Sequence, residues 1–172
     1  VLTEAAKRGV YHEGERIEAT GYLLPGQPNK FRSWIYKQNP GVTHKDQLGH
    51  DPNDVEALMV SSNVFFFTLG RRLGPKEIAA AYRDYGVGTA YNLGVGGEWP
   101  GSIGALNGPN DGSDLNLDDA TLMGIGQGPV TWTPLHAADA FATIARQGYR
   151  ISPRLVRDGR APEVHDIGLP SW

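Results

Sequence analysis

Ser61 and Asn63 stand two residues apart in the run Ser61-Ser62-Asn63, and their types suit proton transfer and the binding of a peptide-like substrate. A hydroxyl can pass a proton toward a leaving group. A carboxamide offers two donors and an acceptor, a set that matches a peptide backbone. On an irregular turn the two side chains can point to the same side. The same residues suit a plain structural duty equally well, because Ser and Asn compete for backbone groups and so break or cap helices. The local sequence does not separate the two duties.

Other candidate chemistry is thinner. His44 and His50 flank Asp46 and Asp51, but the spacing matches no compact metal-ligand motif, and no metal is expected. Gly124, Gly126 and Gly128 lack the G-x-G-x-x-G spacing of a dinucleotide fold, and no cofactor is expected. No G-x-S-x-G elbow presents a serine to a triad. His136 falls at a helix start, where a solvent-facing place is expected.

The elements that must position Ser61 and Asn63 are helices. Asn53 and Glu56 form a capping-box pair ahead of Val55, Leu58 and Met59, and the helix they open breaks at Ser61-Ser62. A second helix is expected over 64–73, with Phe65, Leu69 and Leu73 on one face. Gly74 ends it, and Pro75 opens a third that buries Ile78, Ala81, Tyr82 and Tyr85. A short helix starts at Asp118-Asp119 and stops at Gly124. Thr133-Pro134 starts the last helix, with Leu135, Ala138, Phe141, Ala142 and Ala145 as its expected buried face. Residues 10–52 are rich in Gly and Pro, so only short extended pieces are expected there, such as 16–19 and 33–37. Residues 86–116 form a long irregular excursion, and 151–156 reads as a strand. Val1 to Gly9 looks like the back half of a helix that began upstream. The tail 158–172 is punctuated by Pro and Gly and is expected to hold no closing element.

Composition narrows the class. A hydrophobic share of 40% supports a real core, in a single domain without a dividing linker. The formal net charge of −3, with scattered Lys and Arg, argues against nucleic acid as a partner. No apolar run approaches the ~18 residues of a membrane span. With no cysteine there is neither a disulfide framework nor a thiolate site. Glycine at 23 and proline at 12 predict long turns between the helices.

Several motifs together resemble a known family. Ser61-Ser62-Asn63-Val64-Phe65-Phe66, then Leu69 through Leu73-Gly74, resembles the S-x-N region of penicillin-binding protein transpeptidase domains. Tyr85-Gly86-Val87-Gly88 resembles the family's aromatic-Gly-x-Gly stretch, and Gly97-Glu98 with Pro100-Gly101 its G-E loop. Gly124-Ile125-Gly126-Gln127-Gly128, then Thr133-Pro134-Leu135, resembles its G-x-G-Q-G and T-P-L region. Arg146-Gln147-Gly148 and Pro153-Arg154-Leu155-Val156 match the usual sequel. The likeness is strongest over 50–156, and Thr20-Gly21-Tyr22 and Phe31-Arg32-Ser33-Trp34 fit the loop after the family's nucleophile helix. Among the subgroups, it is similar to the class B, high-molecular-weight type.

The resemblance implies a fold: the mainly α, long-looped helical part of the α/β penicillin-binding-protein and serine β-lactamase-like architecture. It implies a peptidoglycan D,D-transpeptidase, with Ser61 as proton relay, Asn63 as a substrate-binding amide, and Gln127 shaping the cleft wall or touching substrate. Stem peptides and β-lactams would be its ligands, other cell-wall synthesis proteins its partners, and the periplasmic or extracytoplasmic face of the membrane its place. Any membrane attachment would lie in a segment absent from this chain. The family's S-x-x-K and K-T-G motifs do not occur: Lys37 follows Ser33 one residue too late. The 172 residues are therefore expected to be part of one transpeptidase domain, truncated at both ends, and inactive alone. A non-catalytic scaffold or β-lactam sensor is the alternative, and a serine β-lactamase a third.

Overall fold

The computed structural model describes residues 1–105, 110–157, 159 and 161–170. In chain order the elements are α1 (Leu2–Lys7), α2 (Trp34–Gln38), α3 (His44–Leu48), α4 (Asp54–Met59), α5 (Asn63–Asp84), β1 (Ser102–Ile103), α6 (Leu117–Met123), β2 (Val130–Thr131), α7 (Pro134–Ala145), β3 (Tyr149–Ile151) and β4 (Val164–Asp166). The architecture is mainly α with long irregular connections. It divides into two compact units: residues 1–78 with 116–128, and residues 79–115 with 129–172.

The helix starts follow local chemistry. Asn53 accepts from the Glu56 amide while Glu56 reaches back to the Asn53 amide, so two orphan donors of α4 are satisfied at once. The same reciprocal box opens α3 at Thr43 and Asp46, α6 at Asn116 and Asp119, and α7 at Thr133 and His136. Gly74 interrupts α5 with φ 72° and ψ 174°, ahead of Pro75, as the Gly-Pro pair predicts.

In the first unit, α5 buries Val64, Phe65, Phe67, Leu69, Leu73 and Ile78. Phe65 meets Tyr11 edge-on at 5.8 Å between ring centroids, and Phe67 meets Phe31 at 5.4 Å. Arg8 pairs with the buried Glu4 and, at 2.9 Å, with Glu77, which ties α1 to α5. Two glycines set the approach of α6. A Cβ on Gly70 would strike the Ala120 carbonyl oxygen, and one on Gly124 would strike that of Phe66. The two backbones lie closer than any side chain allows.

The second unit pairs β1 with β2 antiparallel, Ser102 opposite Thr131, and β3 with β4, Tyr149 opposite Asp166. Val87, Ile103, Tyr85 and Ala140 are buried there. Asp139 Oδ2 accepts from the Tyr91 hydroxyl and from Arg150 Nε, both at 2.9 Å. The His136 ring bonds to the Thr89 carbonyl at 3.1 Å and to Thr133 Oγ1 at 2.7 Å.

Several expectations fail for a stated reason. Residues 33–37 are not extended, and 10–52 hold two short helices, α2 and α3, whose five residues each leave no readable period. The strand expected at 151–156 lies earlier, at β3, because its partner β4 sits in the tail that was expected to hold no regular element. The buried face of α7 is His136, Asp139, Ala140 and Thr143, and Phe141 is 73% exposed. Hydrogen-bonded partners turn that polar face inward, so His136 is buried rather than solvent-facing. Part of the irregular 86–116 stretch, residues 106–109, and residues 158, 160, 171 and 172 of the tail lie outside the described residues.

Candidate active site

The junction between α4 and α5 is built from backbone hydrogen bonds. Val60 closes α4 as its C-cap. The Ser61 amide then donates to the Leu58 carbonyl at 3.2 Å, and the Ser62 amide to the Ala57 carbonyl at 2.8 Å. This pair of bonds is the Schellman ending, which requires a left-handed residue just past the cap. Ser61 fills that place with φ 54°. Glycine adopts this conformation freely, whereas an L-residue with a Cβ pays roughly 1–2 kcal/mol for it. A serine here is the outlier that points to a use for its side chain.

The three residues of the turn face differently. Ser61 is exposed, Ser62 is buried, and Asn63 is half-buried at the first position of α5. Ser62 is 1% exposed, and its Oγ makes no hydrogen bond among the described residues. Gln127 is exposed in the turn after α6. Gly124, which opens that turn, packs on the Phe66 carbonyl, three residues along α5 from Asn63. The first unit thus carries all three sequence-derived candidates, two on one turn and the third on a turn docked against the start of α5.

Charges brace the base of α4. Arg16 donates to Glu56 Oε2 at 2.8 Å and to the Asp51 carbonyl, and meets His50 Nδ1 at 2.7 Å. Asp51 accepts from the Ala19 amide at 3.0 Å and from Lys45 at 3.0 Å. The Asn53 amide, and after it Arg16, hold the Glu56 carboxyl below its usual range; the Ala19 amide, and after it Lys45, do the same for Asp51. Arg71 and Arg72 on α5 face Asp118 and Glu15. An arginine stays protonated and cannot serve as a base. The turn therefore supplies a hydroxyl and a carboxamide. It supplies no base to turn that hydroxyl into a nucleophile.

A groove of about 700 Å³ in the same unit is lined by Thr20, Tyr22, Thr43, Lys45, Thr68 and Arg72, among others. Ser61, Asn63 and Gln127 do not line it. Among the described residues, no three acidic or histidine side chains gather to hold a metal. His44 is buried, with Nδ1 3.1 Å from Gln47 Oε1, and His50 is tied to Arg16.

In the sequence Trp34 stands out only as part of Phe31-Arg32-Ser33-Trp34. In the structure its indole Nε1 donates to the Val60 carbonyl at 3.1 Å, directly before Ser61. Its ring also packs on the imidazole of His44, with centroids 5.6 Å apart. No local signal announces a contact made 26 residues away.

With this geometry in place, likeness to known proteins becomes decisive. The penicillin binding protein transpeptidase domain matches residues 4–166. The chain belongs to this family. It is 32% identical over 126 residues to the penicillin-binding protein PbpB of Mycolicibacterium smegmatis, covering 72% of this chain and 18% of that protein. It is 27% identical over 157 residues to the peptidoglycan D,D-transpeptidase MrdA of Acinetobacter baumannii, covering 87% of this chain and 21% of that one. The fold matches that of penicillin binding protein 3 from Mycobacterium tuberculosis complexed with aztreonam, with a TM-score of 0.68 and 20% identity, over 99% of this chain and 34% of that one. The transpeptidase-family chain thus spans about a fifth of the length of the curated relatives it matches. No helix among the described residues is long and apolar enough to cross a membrane.

Proposed function

We propose that these residues form the S-x-N-bearing helical part of a peptidoglycan D,D-transpeptidase. The observation that carries the reading is Ser61, a serine held in the left-handed turn position that favours glycine, directly ahead of Asn63. In this mechanism a serine outside the 172 residues, in an S-x-x-K tetrad, attacks the D-Ala-D-Ala carbonyl. A C–O bond forms, the C–N bond breaks, and terminal D-alanine leaves with a proton. An acceptor amine then attacks the ester and restores the serine. Ser61 passes the proton between the lysine and the leaving nitrogen. Asn63 hydrogen-bonds the stem-peptide backbone or a β-lactam side chain, and Gln127 shapes the wall beside it. The protein works at the extracytoplasmic face of the membrane, alongside other cell-wall synthesis proteins. Because Ser61 has no base, the 172 residues alone do not acylate.

The test is labelling by fluorescent penicillin in the protein that joins this chain to an S-x-x-K segment. Ser61→Ala is expected to slow acylation by about 10²-fold or more, with little change in thermal midpoint. Equal rates would reduce Ser61 to a helix breaker. Absence of an S-x-x-K segment in the intact protein would favour the scaffold or β-lactam sensor. The isolated chain is expected to gain no mass with excess penicillin; a stoichiometric adduct on Ser61, Ser62 or Ser33 would overturn the mechanism.

A further inference from the structure

We propose that Trp34 is a positioning residue for Ser61, acting through the Val60 carbonyl. The last carbonyls of a helix have no partner within it, and the carbonyl of a C-cap residue sets the peptide plane that enters the next residue. At Val60 that oxygen accepts the Trp34 indole N–H at 3.1 Å. The peptide it fixes is the one joining Val60 to Ser61, whose φ of 54° is the strained feature of the site. A side chain from outside both flanking helices therefore holds the plane that a left-handed serine needs.

Magnitudes show why such a clamp matters. A neutral hydrogen bond shifts a local equilibrium by about fivefold. The left-handed penalty on a non-glycine residue is of comparable or somewhat larger size. The two Schellman bonds offset part of that penalty, and the indole bond adds a third restraint on the same turn. Without it, a right-handed Ser61 becomes competitive and the hydroxyl leaves its direction. The Trp34 ring is itself restrained, because it meets the buried imidazole of His44, which is 1% exposed, at a tilt of 59° and 5.6 Å between centroids. His44 is held in turn by α3, whose Thr43–Asp46 capping box starts one residue before it. Trp34 is thus a braced donor, and its direction does not depend on Ser61.

This inference rests on the transpeptidase reading for its effect on rate, while its effect on the backbone can be read independently. The experiment replaces Trp34 with β-(3-benzothienyl)alanine, which puts sulfur in place of the N–H and keeps the ring shape against His44. Trp34→Phe is the second variant. In the 172-residue chain, the sign of φ at Ser61 is followed through the intraresidue amide-to-Hα nuclear Overhauser effect, which is strong for left-handed residues. Both variants are expected to populate a right-handed Ser61. Adding Ser61→Gly should restore the left-handed turn in either one, because glycine needs no clamp.

In the S-x-x-K-bearing protein, the benzothienyl variant is expected to lower the acylation rate constant about fivefold, with the concentration of half-saturation unchanged. An affinity loss without a rate loss would overturn the assignment, since that would mark Trp34 as a ligand contact. An unchanged Ser61 turn in both variants would also overturn it, as would a changed turn with an unchanged rate. Failure of the unsubstituted protein to label at all would sink the transpeptidase reading, and with it the role of the turn in that reaction. The nuclear Overhauser signal would then still say whether Trp34 holds the backbone.

Discussion

The turn at Ser61 and the polar cluster at Asp139 treat buried polar groups in opposite ways. Around Asp139 the donors are matched: Tyr91 and Arg150 both donate to its carboxylate, and His136 uses both ring nitrogens. Burial, and then the bonded Asp139 carboxylate, push the Tyr91 hydroxyl up to about 12, so it stays protonated at any ordinary pH. At the Ser61 turn the backbone is held in a conformation that glycine prefers, and the buried Ser62 hydroxyl makes no hydrogen bond among the described residues. A satisfied cluster holds elements in place, whereas a strained turn with the exposed Ser61 at its tip is the kind of feature that marks a site of use. Both regions are rich in polar residues, so composition alone would rank them alike.

The sharpest way to break that comparison is to remove Asp139. Asp139→Ala leaves the partly buried Arg150 guanidinium without its carboxylate and should destabilise the protein by about 3–5 kcal/mol. Thermal or urea unfolding reads this, and a shift below about 1 kcal/mol would show that the cluster is not structural. Gly124→Ala comes next. It forces a methyl group into the Phe66 carbonyl and should cost about 1–3 kcal/mol in unfolding free energy. It should also displace the Gln127 turn, visible as amide shift changes at 125–128.

Ser61→Gly sharpens the comparison from the other side. It relieves roughly 1–2 kcal/mol of left-handed strain against an entropic cost of roughly 0.5–1 kcal/mol for glycine, so it should stabilise the fold by about 1 kcal/mol or less, even though penicillin labelling falls as far as with Ser61→Ala. A destabilised glycine variant would mean that the Ser61 side chain has structural partners after all. The smallest effect is expected from acid. Asp51 and Glu56 are held below their usual range, so their contribution is present at neutral pH and is lost as pH falls through their folded values, beneath the ordinary carboxylate range. Amide exchange in α4 should speed up there before the rest of the first unit responds. The Glu56→Gln variant should flatten that response.

How legible the molecule was in its sequence varies by element. Capping pairs such as Asn53 with Glu56, and breaks such as Gly74-Pro75, were readable because both partners lie within a few residues. The 3.6-residue spacing of Phe65, Leu69 and Leu73 found the buried face of α5 for the same reason. The apolar stripe of α7 containing Phe141 is not its buried face, because the polar stripe is turned inward by partners outside the helix: Tyr91, 48 residues from Asp139, and Arg150, 11 residues from it. The helices α2 and α3 were missed because five residues carry too little periodicity.

At the candidate site, residue types and order identified Ser61, Asn63 and Gln127, and the ordered motifs pointed to the transpeptidase family. Those are properties of the chain read in one dimension: which groups are present, how far apart they stand, and which neighbours can cap or break a helix. The left-handed φ of Ser61, the inward turn of Ser62, the docking of Gly124 on the Phe66 carbonyl and the bond from Trp34 to Val60 belong to the tertiary structure alone. Each depends on which surfaces meet when the chain closes on itself. A serine at a helix end has several backbone wells within about 1–2 kcal/mol of one another, and only contacts from distant residues choose between them.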